Sequence, residues 1–134
     1  MSEEPGPPAR GVLLAHGEMA RGMVDAVRKI SGVEEDALVP LSNEGLSPAG
    51  LKEKLERLLG SGPAVIFTDL HAGSCAMTAA AVSRRGDTLV LCGANLPMLL
   101  DFVFHRELTL DELRGRLQEK GRQGIRSMGG GEAR

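Results

Sequence analysis

Two residues that can carry out chemistry lie at the ends of short apolar runs. His16 comes directly after residues 11–15 (GVLLA), and Asp69 ends the run at residues 64–69 (AVIFTD). A neutral imidazole is a good phosphoryl acceptor, because its ordinary pKa leaves one ring nitrogen unprotonated at the pH of a cell. A carboxylate that accepts a hydrogen bond from the other ring nitrogen fixes the tautomer and the orientation of the ring. The pair therefore predicts a phosphoryl acceptor, His16, that is oriented by Asp69.

Small and polar residues near this pair are suited to hold the phosphoryl group. Gly17 follows the histidine, and Gly73 and Ser74 precede an alanine-rich segment that is predicted to be helical to about Arg84. Helices that start after Gly17 and at Ser74 would direct backbone N–H groups and positive dipole ends towards the same place. We expect Gly73 to let the backbone approach closely. Ser74 is expected to be a helix N-cap whose hydroxyl adds a donor.

Strand and helix patterns alternate along the chain, which predicts right-handed crossovers between parallel strands. We therefore predict an α/β fold with a mainly parallel sheet in the order 2-1-3-4, room for an extra edge strand, and helices on both faces. In that order the switch point lies between the first and third strands, which end at His16 and Asp69. The predicted strands are 11–15, 36–42, 64–69 and 87–93, and the predicted helices are 18–31, 48–59, 74–84, 96–105 and a last one that opens with the capping-box pattern at 109–112.

The length and composition predict one cytoplasmic domain. A chain of 134 residues suits a single domain, predicted at 11–128, with a disordered head at 1–10 and a flexible tail at 129–134. No apolar run reaches the roughly 18 residues of a membrane span, and the head lacks the apolar stretch of a signal peptide. The two cysteines, Cys75 and Cys92, form no CxxC pair and are expected to be free thiols.

Several classes of partner and cofactor are disfavoured by the composition. The formal net charge is −2, there is no basic stripe, and the chain has three Phe with no Trp or Tyr, so we expect no nucleic-acid partner. Neither a GxGxxG nor a GxxxxGK[ST] sequence is present, which argues against a bound nucleotide. The predicted acceptor chemistry itself requires no cofactor.

Two interpretations are open for the role of each remaining polar residue. We expect His71 to be an exposed loop residue that shapes the partner surface, with contact to the phosphoryl group as the alternative. Asn95 is expected to organise the turn after the fourth strand, or to modulate the site. Cys75 is expected to be a buried inert thiol, with a pKa lowered at a helix N-terminus as the alternative. A metal site from His16, Asp69 and His71 has suitable ligand types, but nothing supplies a second shell, so no metal is predicted.

Three segments together resemble a known family. The segment at 15–32 reads AHGEMARGMVDAVRKISG, the one at 68–74 reads TDLHAGS, and the one at 92–99 reads CGANLPML. The last two correspond to family segments of the form D-L-F-G-G-S/T and G-x-N-L-P-M-L. In this order and spacing they resemble the mannose/fructose/sorbose-type enzyme IIA components of the bacterial phosphoenolpyruvate-dependent sugar phosphotransferase system. The resemblance extends from about Gly11 to Met128.

This resemblance implies a phosphocarrier. It implies that His16 receives the phosphoryl group from the carrier HPr and passes it to an enzyme IIB, with Asp69 orienting His16 and Ser74 contacting the group. It also implies a homodimer that meets the membrane only indirectly, through transporter subunits. The sequence departs from the family form at His71, Ala72 and Cys75, which replace an aromatic residue, a glycine and a proline. These changes leave the IIB partner and the sugar open.

Other functions remain as alternatives. A regulatory relative would accept the phosphoryl group on His16 and signal its phosphorylation state through protein contacts. The carrier domain that serves a dihydroxyacetone kinase has a similar fold, but the NLPML sequence at 95–99 favours the mannose type. A receiver-like domain phosphorylated on Asp69 would need an acidic cluster after the first strand, where this chain has Ala15 and His16.

Overall fold

A four-stranded parallel sheet runs through the centre of the molecule. The computed structural model describes residues 6–33 and 35–131. The strands are β1 (Arg10–Ala15), β2 (Leu38–Ser42), β3 (Ala64–Thr68) and β4 (Thr88–Cys92). Their order is β2-β1-β3-β4, which confirms the predicted order 2-1-3-4. The described residues contain no extra edge strand, and Pro40 lies on the edge strand β2, where proline is tolerated in a sheet.

Five helices connect and cover the strands. Three of them begin with a side-chain cap: Ser47 accepts a hydrogen bond from Gly50 N–H, Asn95 from Met98 N–H, and Thr109 from Glu112 N–H as part of the predicted capping box. The helices are α1 (Met19–Ser31), α2 (Pro48–Leu59), α3 (Ser74–Ser83), α4 (Leu96–Val103) and α5 (Leu110–Gln123).

The helices cover both faces of the sheet, as predicted. Buried residues of α1, α4 and α5 pack on one face, and buried residues of α2 and α3 pack on the other. All five residues of β3 are buried, because both of its faces meet helices. Phe67 and Phe102 pack edge to face in the first of these layers, with ring centroids 5.2 Å apart.

Several element boundaries differ from the predicted ones by one or two residues. β2 begins at Leu38 rather than at 36, because Glu35–Ala37 forms a short 3-10 helix. At the start of the chain, β1 includes Arg10, and Ala9 is buried with its N–H bonded to the carbonyl of Arg106. Residues 1–5 of the predicted head and 132–134 of the predicted tail lie outside the described residues.

The lengths of the helices bear on membrane insertion. Among the residues that the structure describes, no helix combines the length and the apolar character that crossing a membrane requires.

Candidate functional site

The sheet brings the two predicted reactive residues together. β1 and β3 are neighbours, and Leu14 pairs with Thr68 in their register. The residues that follow these strands therefore emerge at the same carboxyl edge, at the switch point of the strand order. The backbone N–H of His16 donates to Oδ2 of Asp69 at 3.0 Å, so the carboxylate is tied to the end of β1.

The same carboxylate orients the imidazole ring. Nδ1 of His16 lies 2.8 Å from Oδ2 of Asp69, and the N–H of Leu70 donates to the other carboxylate oxygen at 3.0 Å. An ionised carboxylate can only accept, so the proton of the neutral ring lies on Nδ1 and Nε2 carries a lone pair. The side chain of Asp69 is 8% exposed and that of His16 is 41% exposed. The ring is therefore held from the buried side and open to solvent.

Two opposing effects act on the pKa of Asp69. Burial of the carboxyl raises its pKa, while hydrogen bonds from the backbone and ring of His16 lower it. The hydrogen bonds together prevail, and the pKa lies below its ordinary value. Asp69 is accordingly a carboxylate at neutral pH, as its role of orienting the ring requires.

The backbone of Gly73 lies beside the free ring nitrogen. A Cβ atom at this position would lie 3.8 Å from Cε1 and 3.9 Å from Nε2 of His16. Gly73 has φ +96° and is the N-cap of α3, so Ser74 is the first helical residue and not the predicted N-cap. The reason is the left-handed backbone at the cap position, which glycine adopts without a steric cost. Ser74 is exposed at the start of the helix.

The two helices that start next to His16 lack side-chain caps. α1, which follows Gly17 at φ +60°, and α3 have no side-chain hydrogen bond at their N-termini, whereas α2, α4 and α5 each have one. First-turn N–H groups have no partner within their own helix. An anion bound between α1 and α3 would satisfy such groups and meet the positive ends of both dipoles.

Cys75 lies directly behind the ring. Its side chain is buried, and Sγ is 3.9 Å from Nδ1 of His16. Burial and the charge of Asp69 raise the pKa of the thiol, which outweighs a hydrogen bond from Ser74. The expected burial is thus confirmed, and the alternative of a lowered pKa is wrong because desolvation outweighs the helix N-terminus. Sequence spacing did not indicate that this thiol would face the acceptor histidine.

His71 and Asn95 stand apart from this pair. His71 is exposed in the loop between β3 and α3, and within the described part of the chain it has no hydrogen bond or ion pair. The amide of Asn95 accepts from Met98 N–H at 3.2 Å and donates to the carbonyl of Gly121 at 2.8 Å. Asn95 therefore caps α4 and ties it to α5, which agrees with a role in the turn after β4.

The ring nitrogen, the carboxylate and the uncapped helix N-termini lie at the same edge of the sheet, and sequence comparison gives the family. A family model described as the fructose IIA component of the phosphotransferase system, EIIA-man, matches residues 11–117. The chain belongs to this family. His16, Asp69 and Ser74 all lie within the matched region. Membership in the EIIA-man family supports a role for the chain as a component of the phosphotransferase system.

Solved structures show the same fold. A phosphotransferase system component EIIA from Streptococcus agalactiae superposes with a TM-score of 0.82 at 25% identity, covering 89% of this chain and 96% of that one. A mannose/sorbose-specific IIA subunit from Enterococcus faecalis gives 0.80 at 22% identity, covering 96% and 100%. A sigma-54 interaction domain protein from Enterococcus faecalis gives 0.69 at 15% identity, covering 90% and 98%. No curated protein sequence matches this chain.

Proposed function

We propose that this EIIA-man protein is a cytoplasmic phosphocarrier that accepts a phosphoryl group from HPr on Nε2 of His16 and passes it to an enzyme IIB. The hydrogen bond between Nδ1 of His16 and Oδ2 of Asp69, at 2.8 Å, carries the proposal. It leaves Nε2 unprotonated on a ring that is open to solvent, and this is what a nucleophilic acceptor needs.

The transfer follows from this geometry. The lone pair of Nε2 attacks the phosphorus atom that HPr presents, and a bond between nitrogen and phosphorus forms. The bond between phosphorus and the donor atom of HPr breaks, and that atom keeps the electron pair. The ring gains positive charge as the bond forms, and the carboxylate of Asp69, hydrogen-bonded to Nδ1–H, stabilises that charge. Transfer to the IIB protein is the same displacement with His16 as the leaving group.

The surroundings of Nε2 suit the phosphoryl oxygens. Gly73 lies next to the ring, where a Cβ atom would already be in van der Waals contact with it, and the uncapped N-termini of α1 and α3 supply N–H groups. Ser74, exposed at the first position of α3, adds a hydroxyl. In this proposal Gly17, Gly73 and Ser74 hold the phosphoryl group.

Exposed apolar side chains near the site support protein partners. Leu70 is 57% exposed and Met77 is 72% exposed, and they flank the start of α3 on either side in sequence. Large apolar side chains exposed on the segment that contains the start of α3 are suited to contact another protein. We assign this surface to partner proteins, including a second copy of the chain in a homodimer.

A regulatory role is the second candidate. It is favoured by His71 and Ala72 of the loop and by Cys75 of α3, which differ from the family form next to an intact pair of His16 and Asp69. The occurrence of this fold in a sigma-54 interaction domain protein is consistent with a role outside transport. In this version the protein accepts the phosphoryl group and signals its state through protein contacts.

Phosphorylation by purified carriers tests the proposal. The protein is incubated with phosphoenolpyruvate, enzyme I and HPr, and an acid-labile, base-stable phosphate is expected on the wild type. His16→Gln should carry no label. The chain has two other histidines, and His71→Gln and His105→Gln are matched controls that should keep the label. An unlabelled wild type, or a labelled His16→Gln, contradicts the proposal.

Adding candidate IIB proteins separates the two roles. Loss of label from the wild type to a IIB protein supports the transport carrier. Label that remains on the protein with every IIB protein of the organism supports the regulatory role.

A further inference from the structure

The thiol of Cys75 has no part in phosphoryl transfer, yet it lies at the reactive ring. Nδ1 of His16, a carboxylate oxygen of Asp69 and Sγ of Cys75 all lie within 4.8 Å of one another. The thiol is 3.9 Å from Nδ1, and the carboxylate oxygen is 2.8 Å from the same nitrogen. One nitrogen, one oxygen and one sulfur atom that can ligate a metal therefore lie close together.

The two separations from Nδ1 lie within about half an ångström of those in a tetrahedral zinc site. With bonds of about 2.3 Å to sulfur and about 2.0–2.1 Å to nitrogen and oxygen, tetrahedral ligand atoms lie about 3.3–3.6 Å apart. The thiol would approach Nδ1 by about 0.3 Å, and the carboxylate oxygen would recede from it by about 0.5 Å. The side chain of Asp69 is 8% exposed and Cys75 is buried, so an ion and a water as fourth ligand would have to enter past the ring of His16, which is 41% exposed.

The carboxylate ligand also has outer-shell partners. The N–H groups of Leu70 and His16 hold the carboxylate of Asp69 at 3.0 Å each. Such partners orient metal ligands and strengthen their binding. The arrangement differs from the trio with His71 suggested by the sequence, because a buried thiol from the first turn of α3 replaces an exposed loop histidine.

We propose that His16, Asp69 and Cys75 bind a soft divalent cation such as Zn²⁺, and that the cation and the phosphoryl group exclude each other. The regulatory half of this proposal rests on the proposed function, whereas the binding half does not. An ion on Nδ1 displaces the proton of that nitrogen. In the neutral imidazole the proton then lies on Nε2, which loses the lone pair that phosphoryl transfer needs.

The proton balance is complete without any further reactant. Before binding, the thiol and Nδ1 each carry a proton, and Asp69 is a carboxylate. After binding, the sulfur is a thiolate, the ring proton lies on Nε2, and one proton has been released to solvent. The thiolate and the carboxylate together neutralise the two charges of the cation. Conversely, a phosphoryl group on Nε2 keeps the ring proton on Nδ1 and blocks that ligand position.

Cobalt spectroscopy tests the binding half without any transfer assay. Tag-free, reduced protein is titrated with Co²⁺ under argon. One ion per chain is expected, with the ligand-field bands of a four-coordinate ion and a thiolate-to-cobalt charge-transfer band, and Zn²⁺ should displace it. Cys75→Ala should lose the charge-transfer band, and His16→Asn should weaken binding by about tenfold or more. Cys92→Ala is the matched control and should keep the wild-type spectrum.

Three results would overturn the proposal. They are a wild type without the charge-transfer band, a Cys92→Ala protein that loses the band, and a Cys75→Ala protein that keeps it.

The exclusion half is tested by measuring the phosphorylation rate of each protein with Zn²⁺ and comparing it with the rate of the same protein without metal. Wild type and Cys92→Ala should be slowed when Zn²⁺ saturates the site and restored by a chelator, while Cys75→Ala should be slowed much less. HPr and enzyme I are checked with a second acceptor protein, so that inhibition of the donors is separated from inhibition of this chain. Equal rates with and without saturating Zn²⁺ overturn the exclusion. Failure of phosphorylation even with the chelator contradicts the proposed function and leaves the cobalt result standing.

Discussion

In the proposed function, a single hydrogen bond decides which nitrogen of His16 reacts. Asp69 is fixed by the N–H groups of His16 and Leu70, and it in turn accepts a hydrogen bond from Nδ1–H of His16, so the ring proton stays on Nδ1. The ring is thus positioned before any partner arrives, which lowers the cost of reaching the reactive geometry. The free nitrogen faces the backbone of Gly73, where no side chain stands in the way.

Replacing the orienting carboxylate tests this view of the residue pair. In Asp69→Asn the side-chain amide can donate to Nδ1, which moves the ring proton to Nε2. We expect phosphorylation by HPr to slow by about 10–100-fold. Asp25→Asn, on the exposed surface of α1, is the matched control and should keep the wild-type rate. An unchanged rate in Asp69→Asn would show that the carboxylate does not control the tautomer.

The residue pair could be predicted from the sequence, whereas its neighbours could not. His16 and Asp69 follow two apolar runs, and parallel strands end at a common edge. The thiol of Cys75 was expected to be buried, but no spacing rule says which side chain a residue in the first turn of a helix will face. Ser74 was expected to cap α3, and only the φ of +96° at Gly73 shows that the cap lies one residue earlier.

Close packing between elements fixes how α4 lies on the sheet. A Cβ atom at Gly11 of β1 would lie 2.4 Å from a ring atom of Phe102 on α4, and that ring is fully buried against Phe67. Glycine within a strand often marks such a close approach. The side chain of Phe102 has no free space into which to retreat, because it is among the fully buried ones.

A pair of glycine substitutions tests this packing. Gly11→Ala should lower the free energy of unfolding by about 1–3 kcal/mol, because the new methyl group overlaps Phe102. Gly115→Ala lies within the exposed face of α5, where a Cβ atom meets nothing within 4 Å, and should raise the free energy of unfolding by about 1 kcal/mol. Urea unfolding measures both. A Gly11→Ala protein as stable as the wild type would mean that β1 and α4 are less tightly packed than described.

The sequence pattern predicted the type of each element more accurately than the residues at which the element begins and ends. The apolar runs and amphipathic segments predicted all four strands and all five helices of the described residues. β2 starts late because Glu35–Ala37 forms a 3-10 helix, a local choice that hydrophobic periodicity does not report. The capping box at Thr109 and Glu112 was predicted correctly, since both of its bonds depend on local residues alone.

At the scale of the whole molecule, the carboxyl group of Asp69 affects how the stability of the fold depends on pH. The pKa of Asp69 lies below its ordinary value of 3.8, because its hydrogen bonds with His16 outweigh the effect of burial. A group with a lowered pKa in the folded protein adds stability above its unfolded pKa, and this stability is lost as the pH falls through the folded pKa. Protonation of the Asp69 carboxylate therefore contributes to unfolding in acid.

Unfolding at several pH values tests this link. The stability advantage of the wild type over Asp69→Asn should be constant near neutral pH and should shrink as the pH falls through 3.8 and below. Urea unfolding midpoints of the two proteins over an acid series provide the measurement. A difference that grows towards acid pH would mean that the pKa of Asp69 is raised in the folded protein.

The central claim is that Nε2 of His16 is the phosphoryl acceptor, because Asp69 holds the proton on Nδ1. The most direct test is the linkage itself, read by phosphorus and nitrogen NMR on protein phosphorylated with phosphoenolpyruvate, enzyme I and HPr. The structure predicts phosphorus bonded to Nε2 of His16, with the proton retained on Nδ1. Phosphorus on Nδ1, or on any other residue, would contradict it.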